Sequence, residues 1–444
     1  MKSITSLKEI FHVKEITSQK MLDAIQDWYD LYYGEEQTDE HDNQRLAYTI
    51  VRKLTKNIFS EYSATGENEF EKAVLEALGR ARKKAAQHML IGGECFLKPL
   101  IFDKRLDFMV IPKDETTITG RTETNEVNDI CTETRTELNG KYYTLCERRY
   151  IDEDGKLTIQ AKLYRSDTRE YYGKEVPLAE VPQYADVEPE IKLNMNNIGL
   201  IPFVCPAENC IDGTDDPVSI YAAASKLIHD ININEQQING EFERGKSRII
   251  ASEDYLKQSN GKYSVEDDVF TWMPDDPENV GLQIFAPAFR EQSYLARKTE
   301  YLRNIESIIG LKRGLLSDVE TEDKTATEIT SSAGDYNLTV IDFQQAWEDV
   351  VKTALKVTSE LYTEYRLGDS DYNYDEDIAI DWGNGVLYDE NKTWNDYMLM
   401  VQSGLLKPEI AIAWYFGKDH TDPKVLEQVR TDFMPQLTQM MGEQ

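Results

Sequence analysis

A chain of 444 residues with 81 Asp and Glu against 49 Lys and Arg carries a formal net charge of −32. At roughly 100 to 200 residues per domain, that length predicts two to four folded units, and a 40% hydrophobic content with 6 Trp and 25 Tyr excludes acidic disorder for the bulk. So much negative charge also opposes a broad grip on nucleic acid, because neutralising phosphates takes clustered Lys and Arg.

In chain order, Met21, Ile25, Trp28, Tyr29 and Tyr32 recur at helical spacing within residues 17–33. A second helix is expected over about 43–62 and a third over about 67–90, stopping at Ile91-Gly92-Gly93. Residues 94–102 and 106–111 read as strands. Between 116 and 173, Thr- and Tyr-rich runs are broken at Asn139-Gly140 and Asp154-Gly155, dipeptides that close tight hairpins, so an antiparallel β-unit on a helical base is expected.

Asp216-Pro217 reads as an N-cap followed by a first-turn proline. The helix it predicts runs to about Lys246 with the stripe Tyr221, Ala224, Ile228, Ile231, Ile238 and Phe242, about 45 Å long at 1.5 Å per residue. A compact insert, 247–286, carries a strand-like 248–251 and an Asn260-Gly261 turn. Residues 289–309 are helical again, with Leu295, Leu302, Ile305 and Ile309 on one side and Gly310 as terminator. The polar stretch 311–324 lacks periodicity and is expected to be a mobile loop. Thr325-Ala326-Thr327-Glu328 matches a capping box ahead of the longest periodic run, from Ile329 to Leu361. Gly334 inside that run predicts a kink, a close backbone contact or a tolerated glycine. Between 369 and 390 lie eight acids and no base, and a helical tail over 393–441 turns and restarts at Leu405-Leu406-Lys407-Pro408. The expected class is α+β, mainly α.

Motifs for catalysis or ligands fail on context. Gly240-Glu241-Phe242-Glu243-Arg244-Gly245-Lys246-Ser247 fits the phosphate-loop pattern by letter, yet a helix precedes the glycines and a strand comes after them, so no helix N-terminus faces a phosphate. Asp369, Asp371 and Asn373 fit the first positions of a calcium loop, but Tyr374 stands where glycine is needed and Ile380 where a bidentate glutamate belongs. The five histidines (His12, His41, His88, His229, His420) make no metal spacing, and no G-x-S-x-G elbow is present. The expectation is no enzyme, cofactor or metal. The five cysteines (Cys95, Cys131, Cys146, Cys205, Cys210) contain no C-x-x-C and suit a reducing compartment, as buried or incidental thiols. No run reaches the 18 or so apolar residues of a membrane span, so a soluble, cytoplasmic product without membrane contact is expected.

The order of helical base, β-unit, long helix, insert, second helix, loop, very long helix and helical tail resembles bacteriophage portal proteins, and the local wording is similar to the group related to the portals of tailed phages of Gram-positive hosts. Phe59-Ser60-Glu61-Tyr62, Gly92-Gly93 and Met109-Val110-Ile111-Pro112-Lys113-Asp114 look like the N-terminal region of that family. Asp216-Pro217-Val218-Ser219-Ile220-Tyr221, leading to Phe242-Glu243-Arg244-Gly245-Lys246-Ser247-Arg248-Ile249, resembles its first stem helix entering the clip. Ile284-Phe285-Ala286-Pro287, Ile308-Ile309-Gly310-Leu311 and Lys324-Thr325-Ala326-Thr327-Glu328-Ile329 are similar to the second stem helix, tunnel loop and long wing helix, and Val401-Gln402-Ser403-Gly404-Leu405 to the crown.

The resemblance implies a wing over 1–214, a first stem helix over 215–246, a short clip over 247–286, a second stem helix over 287–309, a tunnel loop over 310–324, a long wing helix over 325–368 and a crown over 369–444. It implies a ring of about twelve subunits at one capsid vertex, through which double-stranded DNA is packaged and ejected. Terminase, a head-tail adaptor, and major capsid and scaffolding proteins are the implied partners. Tyr221, Ile228, Ile231, Ile238, Leu302 and Ile305 are the expected stem-packing residues. Lys312, Arg313 and Lys324 are the candidate channel contacts to DNA, although Lys312 and Arg313 fit equally well as solvated charges favoured by a helix C-terminus. Two other readings are a packaging motor ATPase, which needs a working phosphate loop, and a non-portal virion adaptor, which a central pore would distinguish.

Overall fold

The computed structural model describes residues 6–34, 43–102, 105–244, 248–251, 257–259, 262–264, 282–285, 290–317, 326–383, 390–418 and 423–433. Its contacts divide the chain into one unit of Met1–Ile58 with Thr65–Ala379 and a second of Phe59–Ala64 with Ile380–Gln444.

The first unit begins with helices α1 (Leu7–Phe11), α2 (Gln19–Tyr33) and α3 (Leu46–Ile58); the chain then passes through β1 (Ser63–Thr65), which falls largely in the second unit, and returns to the first with the helix α4 (Glu69–Gly92). Ser18 caps α2, its Oγ accepting from the Met21 amide at 3.2 Å. Asn68 and Glu71 form a reciprocal capping box at α4. α3 is shorter than its periodicity predicts: Arg45 sits at φ 54, outside helical space, and α3 stops at Ile58, where the first unit is interrupted.

Beyond α4, β2 (Glu94–Phe102) and β3 (Arg105–Pro112) form a hairpin that β10 (Ile201–Val204) extends, all antiparallel, with Leu97 opposite both Val110 and Ile201. A larger antiparallel sheet takes β4 (Thr116–Arg121), β5 (Val127–Leu138), β6 (Lys141–Ile151), β7 (Leu157–Ser166) and β8 (Lys174–Val176) in that order, with β9 (Glu190–Leu193) also on β7. The β5–β6 turn is the expected Asn139-Gly140, both residues at positive φ, 52 and 70, as a mirror-image two-residue turn requires.

α4 and α7 (Ala326–Tyr365) pack on the three-stranded sheet. Trp347 of α7 meets Phe203 of β10 edge-on at 5.3 Å, and both are buried. α7 is the longest helix described, 40 residues or about 60 Å, and its backbone continues through Gly334. Thr325, the cap residue of its expected capping box, lies outside the described residues.

Asp216-Pro217 does not open the next helix. The chain stays irregular until a single 3-10 turn, Ala222–Ala224, and α5 runs only over Ser225–Arg244, about 30 Å. The reason is tertiary: the Ile220 amide and the Ser219 hydroxyl both donate to the Leu90 carbonyl at the end of α4, at 3.1 and 2.9 Å. Asp216 is spent on an ion pair with Arg121 at 3.3 Å instead of a cap. Arg121 also reaches Glu94 at 3.4 Å, and the Glu94 carboxylate takes the Lys113 ammonium as well. A second buried trio sets Glu147 between Lys98 and Arg149. Burial alone would raise the Glu147 carboxyl, but the two cations outweigh it and hold it at about 2.

Past α5, the expected insert contributes β11 (Arg248–Ala251) paired antiparallel with β14 (Leu282–Phe285), and β12 (Lys257–Ser259) paired with β13 (Lys262–Ser264). The Asn260-Gly261 turn itself lies outside the described residues. The helix α6 (Glu291–Ile309) comes after the insert. After α7, the acidic stretch forms α8 (Tyr374–Asp377) and lies against the start of α4, where Asn68 donates to the Asp371 carbonyl at 3.0 Å. In the second unit, β15 (Ala379–Asp381) pairs with β1, and Trp382 packs on Tyr62 at 4.7 Å. Its helices are α9 (Glu390–Gln402), α10 (Pro408–Tyr415) and α11 (Pro423–Phe433). The expected restart at Pro408 is present, with proline at the first helical position and Gly404 at φ 73 closing the helix before.

No described helix is long and apolar enough to cross a membrane. Four of the five free cysteines are buried and Cys210 is exposed.

His88 on α4 is 7% exposed, and burial with the nearby Lys84 charge lowers its pKa to about 4. An imidazole that ionises at 6.5 in the unfolded chain and near 4 in the folded one withholds a proton on folding, so its contribution is intact above pH 6.5 and is lost as pH falls toward 4. Denaturant titrations should therefore show His88→Gln gaining about 2 kcal/mol on the wild type between pH 7.5 and pH 5; a difference that does not change with pH would contradict the assignment.

Candidate functional site: a helix pair and its terminal turn

α5 and α6 lie antiparallel. Asn234 donates to the Tyr294 carbonyl at 3.3 Å, Glu235 pairs with Lys298 at 2.6 Å, and Glu241 pairs with Arg290. Of the sequence-expected packing residues, Tyr221, Ile228, Ile231, Ile238 and Ile305 are buried and Leu302 is half-buried. The base of α5 is held by the N-terminal helices: Tyr221 donates to the Trp28 carbonyl at 2.8 Å, His229 meets Asp27 at 2.8 Å, and Asn232 accepts from the Gln44 amide at 3.0 Å.

Two members of the expected stripes are exposed, Phe242 at 57% and Leu295 at 48%. Phe242 follows Glu241, which pairs with Arg290 just ahead of α6. Leu295 stands level with the polar run from Asn234 to Gln237, which offers no apolar partner. On the open side of the pair, Arg290 and Arg297 sit over the rings of Tyr294 and Tyr301 at 5.7 and 4.3 Å. These residues border a cavity of about 360 Å³ shared with Asp230, Ile233 and Gln237.

α6 ends as expected at Gly310, at φ 74, where an added Cβ would come within 2.6 Å of Thr339 Oγ1 on α7. Residues 311–317 form an ordered turn where the sequence predicts a loose loop. The Leu315 amide closes on the Lys312 carbonyl at 3.0 Å with Gly314 at φ 87, a turn centred on Arg313-Gly314 that needs glycine at its third position. Leu311 is buried under it, Lys312 and Arg313 are exposed, and neither cation has an ion-pair partner among the described residues. Lys324 and the rest of the expected loop lie outside the described residues.

The fully buried Glu306 organises this turn. Its Oε1 accepts from the Leu316 and Ser317 amides at 2.5 and 2.9 Å, and its Oε2 from the Ser317 hydroxyl at 2.8 Å. Lys53 of α3 donates to the Leu315 carbonyl. Sequence reasoning misses Glu306, although a signal exists: an acid next to Ile305 on the apolar face of α6 needs polar partners. Arg313-Gly314 is likewise a readable turn signal.

Gly245, Lys246 and Ser247 lie outside the described residues, but α5 ends before them and the strand β11 begins directly after. That helix-to-strand order is the reverse of what a phosphate loop needs.

The family described as "Phage portal protein, SPP1 Gp6-like" matches residues 79–432, and the chain belongs to it. The protein is thus a phage portal protein, a structural component of the virion. Its fold is similar to a structure described as the neck of a native GTA particle computed with C12 symmetry, at TM-score 0.46 and 10% identity, covering 91% of this chain and 96% of that one. It is also similar to the neck of an empty GTA particle computed with C6 symmetry, at TM-score 0.48 and 11% identity, covering 91% and 95%. No curated protein matches the chain.

Because Ile231 is 1% exposed where α5 packs, Ile231→Asp would bury a charge without a counter-ion. Calorimetry should show a loss of about 3 kcal/mol or more, whereas unchanged thermal stability would show the stripe to be misassigned.

Proposed function

We propose that this portal protein assembles into a ring of about twelve copies, a closed assembly built on heterologous contacts, around a channel for double-stranded DNA at one capsid vertex. The observation that carries the reading is the family match across residues 79–432. In this reading α5 and α6 are the stem, residues 247–286 the clip, the segment after Gly310 the channel loop, α7 the long wing helix and residues 369–444 the crown. The ring works with terminase during packaging, a head-tail adaptor afterwards, and capsid and scaffolding proteins during assembly in the host cytoplasm. It contributes shape and charge, not catalysis, and needs no cofactor.

The charge balance supports this role. A duplex moving through a channel must not be held, and a net charge of −32 with few local cations keeps phosphate affinity low. Lys312 and Arg313, side by side on the turn after α6, supply brief phosphate contacts.

Electron microscopy of the purified protein should show rings with a central pore; a species that stays monomeric alone and with capsid proteins would count against the reading. In the parent phage, Lys312→Ala with Arg313→Ala should leave rings and capsids intact and reduce packaged DNA. Full packaging in well-formed particles would remove the two cations from the channel role.

A further inference from the structure

We infer that Glu306 is the positioning residue of the channel turn, the anchor that presents Lys312 and Arg313 at a set place on the end of α6. The inference rests on the reading of this segment as a channel element. Glu306 is fully buried one turn before the helix ends, and all three hydrogen bonds of its carboxylate go to the segment returning from the two cations. The carboxylate therefore closes residues 307–315 into a loop whose base is fixed at Leu316 and Ser317. Inside that loop, the Lys312–Leu315 turn and the buried Leu311 leave the two cations as the exposed crest.

Two more ties fasten the same unit to separate helices. Lys53 of α3 holds the Leu315 carbonyl, and the Thr339 hydroxyl of α7 lies 3.5 Å from the Gly310 carbonyl. An apolar residue at the buried position 306 would leave two backbone amides and a hydroxyl without acceptors. The acid is there for the turn, not for the helix. A displacement of the crest must either break the carboxylate bonds or move the end of α6 with it, so a force on Lys312 and Arg313 is passed into the stem.

Hydrogen exchange on the purified full chain reads the anchor directly. In Glu306→Ala, the Leu316 and Ser317 amides should exchange roughly tenfold or more faster, with exchange in α5 unchanged. Glu306→Gln should restore protection, because its Oε1 still accepts both amides and its Nε2 can donate to the Ser317 hydroxyl. In the parent phage, the packaging loss of Glu306→Ala should not add to that of the Lys312→Ala, Arg313→Ala variant, since one acts through the other. Unchanged exchange in Glu306→Ala, no rescue by Glu306→Gln, or fully additive packaging losses would each overturn the inference. If Glu306→Ala does not fold, Glu306→Asp, whose shorter side chain draws the carboxylate back from the turn, takes its place, and unchanged exchange at Leu316 and Ser317 would overturn the anchor. Should the two cations prove silent in packaging while exchange responds as expected, the channel reading fails and the anchor stands.

Discussion

The arrangement of the first unit depends on how α4 ends. Gly92 and Gly93 stand where side chains cannot: a Cβ on Gly92 would lie 2.7 Å from Lys113 Cβ, and one on Gly93, at φ 83, 2.6 Å from the Pro217 carbonyl oxygen. Through this bare backbone the Leu90 carbonyl receives Ser219 and Ile220, and the Gly93 carbonyl receives the Cys205 amide at 2.7 Å. Two distant stretches are thus hydrogen-bonded to one helix terminus, using carbonyls that a helix end leaves free. The entry to α5 is set there, and with it the direction of the helix pair.

Charge pairing reinforces the same junction. Glu94, directly after the glycines, collects Lys113 and Arg121, and Arg121 continues to Asp216. Such buried pairs add less net stability than their distances suggest, because each ion has left water. Their larger effect is on specificity, since removing one partner strands another charge in the interior. The chain as a whole is strongly acidic, while these buried cations stand where segments remote in sequence must meet.

Local signals are legible in the sequence and remote ones are not. Periodicity and caps locate α2, α4 and α6, and Asn139-Gly140 and Gly310 act as their neighbours in sequence imply, because a turn or a helix end is decided within a few residues. Asp216-Pro217 misleads for the opposite reason: it has the chemistry of a helix start, but Arg121 and the α4 terminus compete for the same groups and win. The stripe on α5 is readable to Ile238 and misleading at Phe242, which stands exposed two residues before the helix ends. Aperiodicity alone makes the turn after α6 look like a loose loop, whereas Glu306, on the preceding helix, supplies its order.

Thiol reactivity requires the thiolate. Burial pushes the Cys131 and Cys205 thiols up to about 12 and moves Cys95 and Cys146 in the same direction, which leaves Cys210 as the one exposed sulfur of the five. It borders a cavity of about 360 Å³ that also touches Ile308 of α6 and Thr339 of α7, the helices on either side of the turn at Arg313-Gly314. A maleimide dye would mark each subunit once at that point. In the proposed ring such labels would form a regular polygon, and the spacing between adjacent dyes would convert directly into the number of its sides once the ring radius is known.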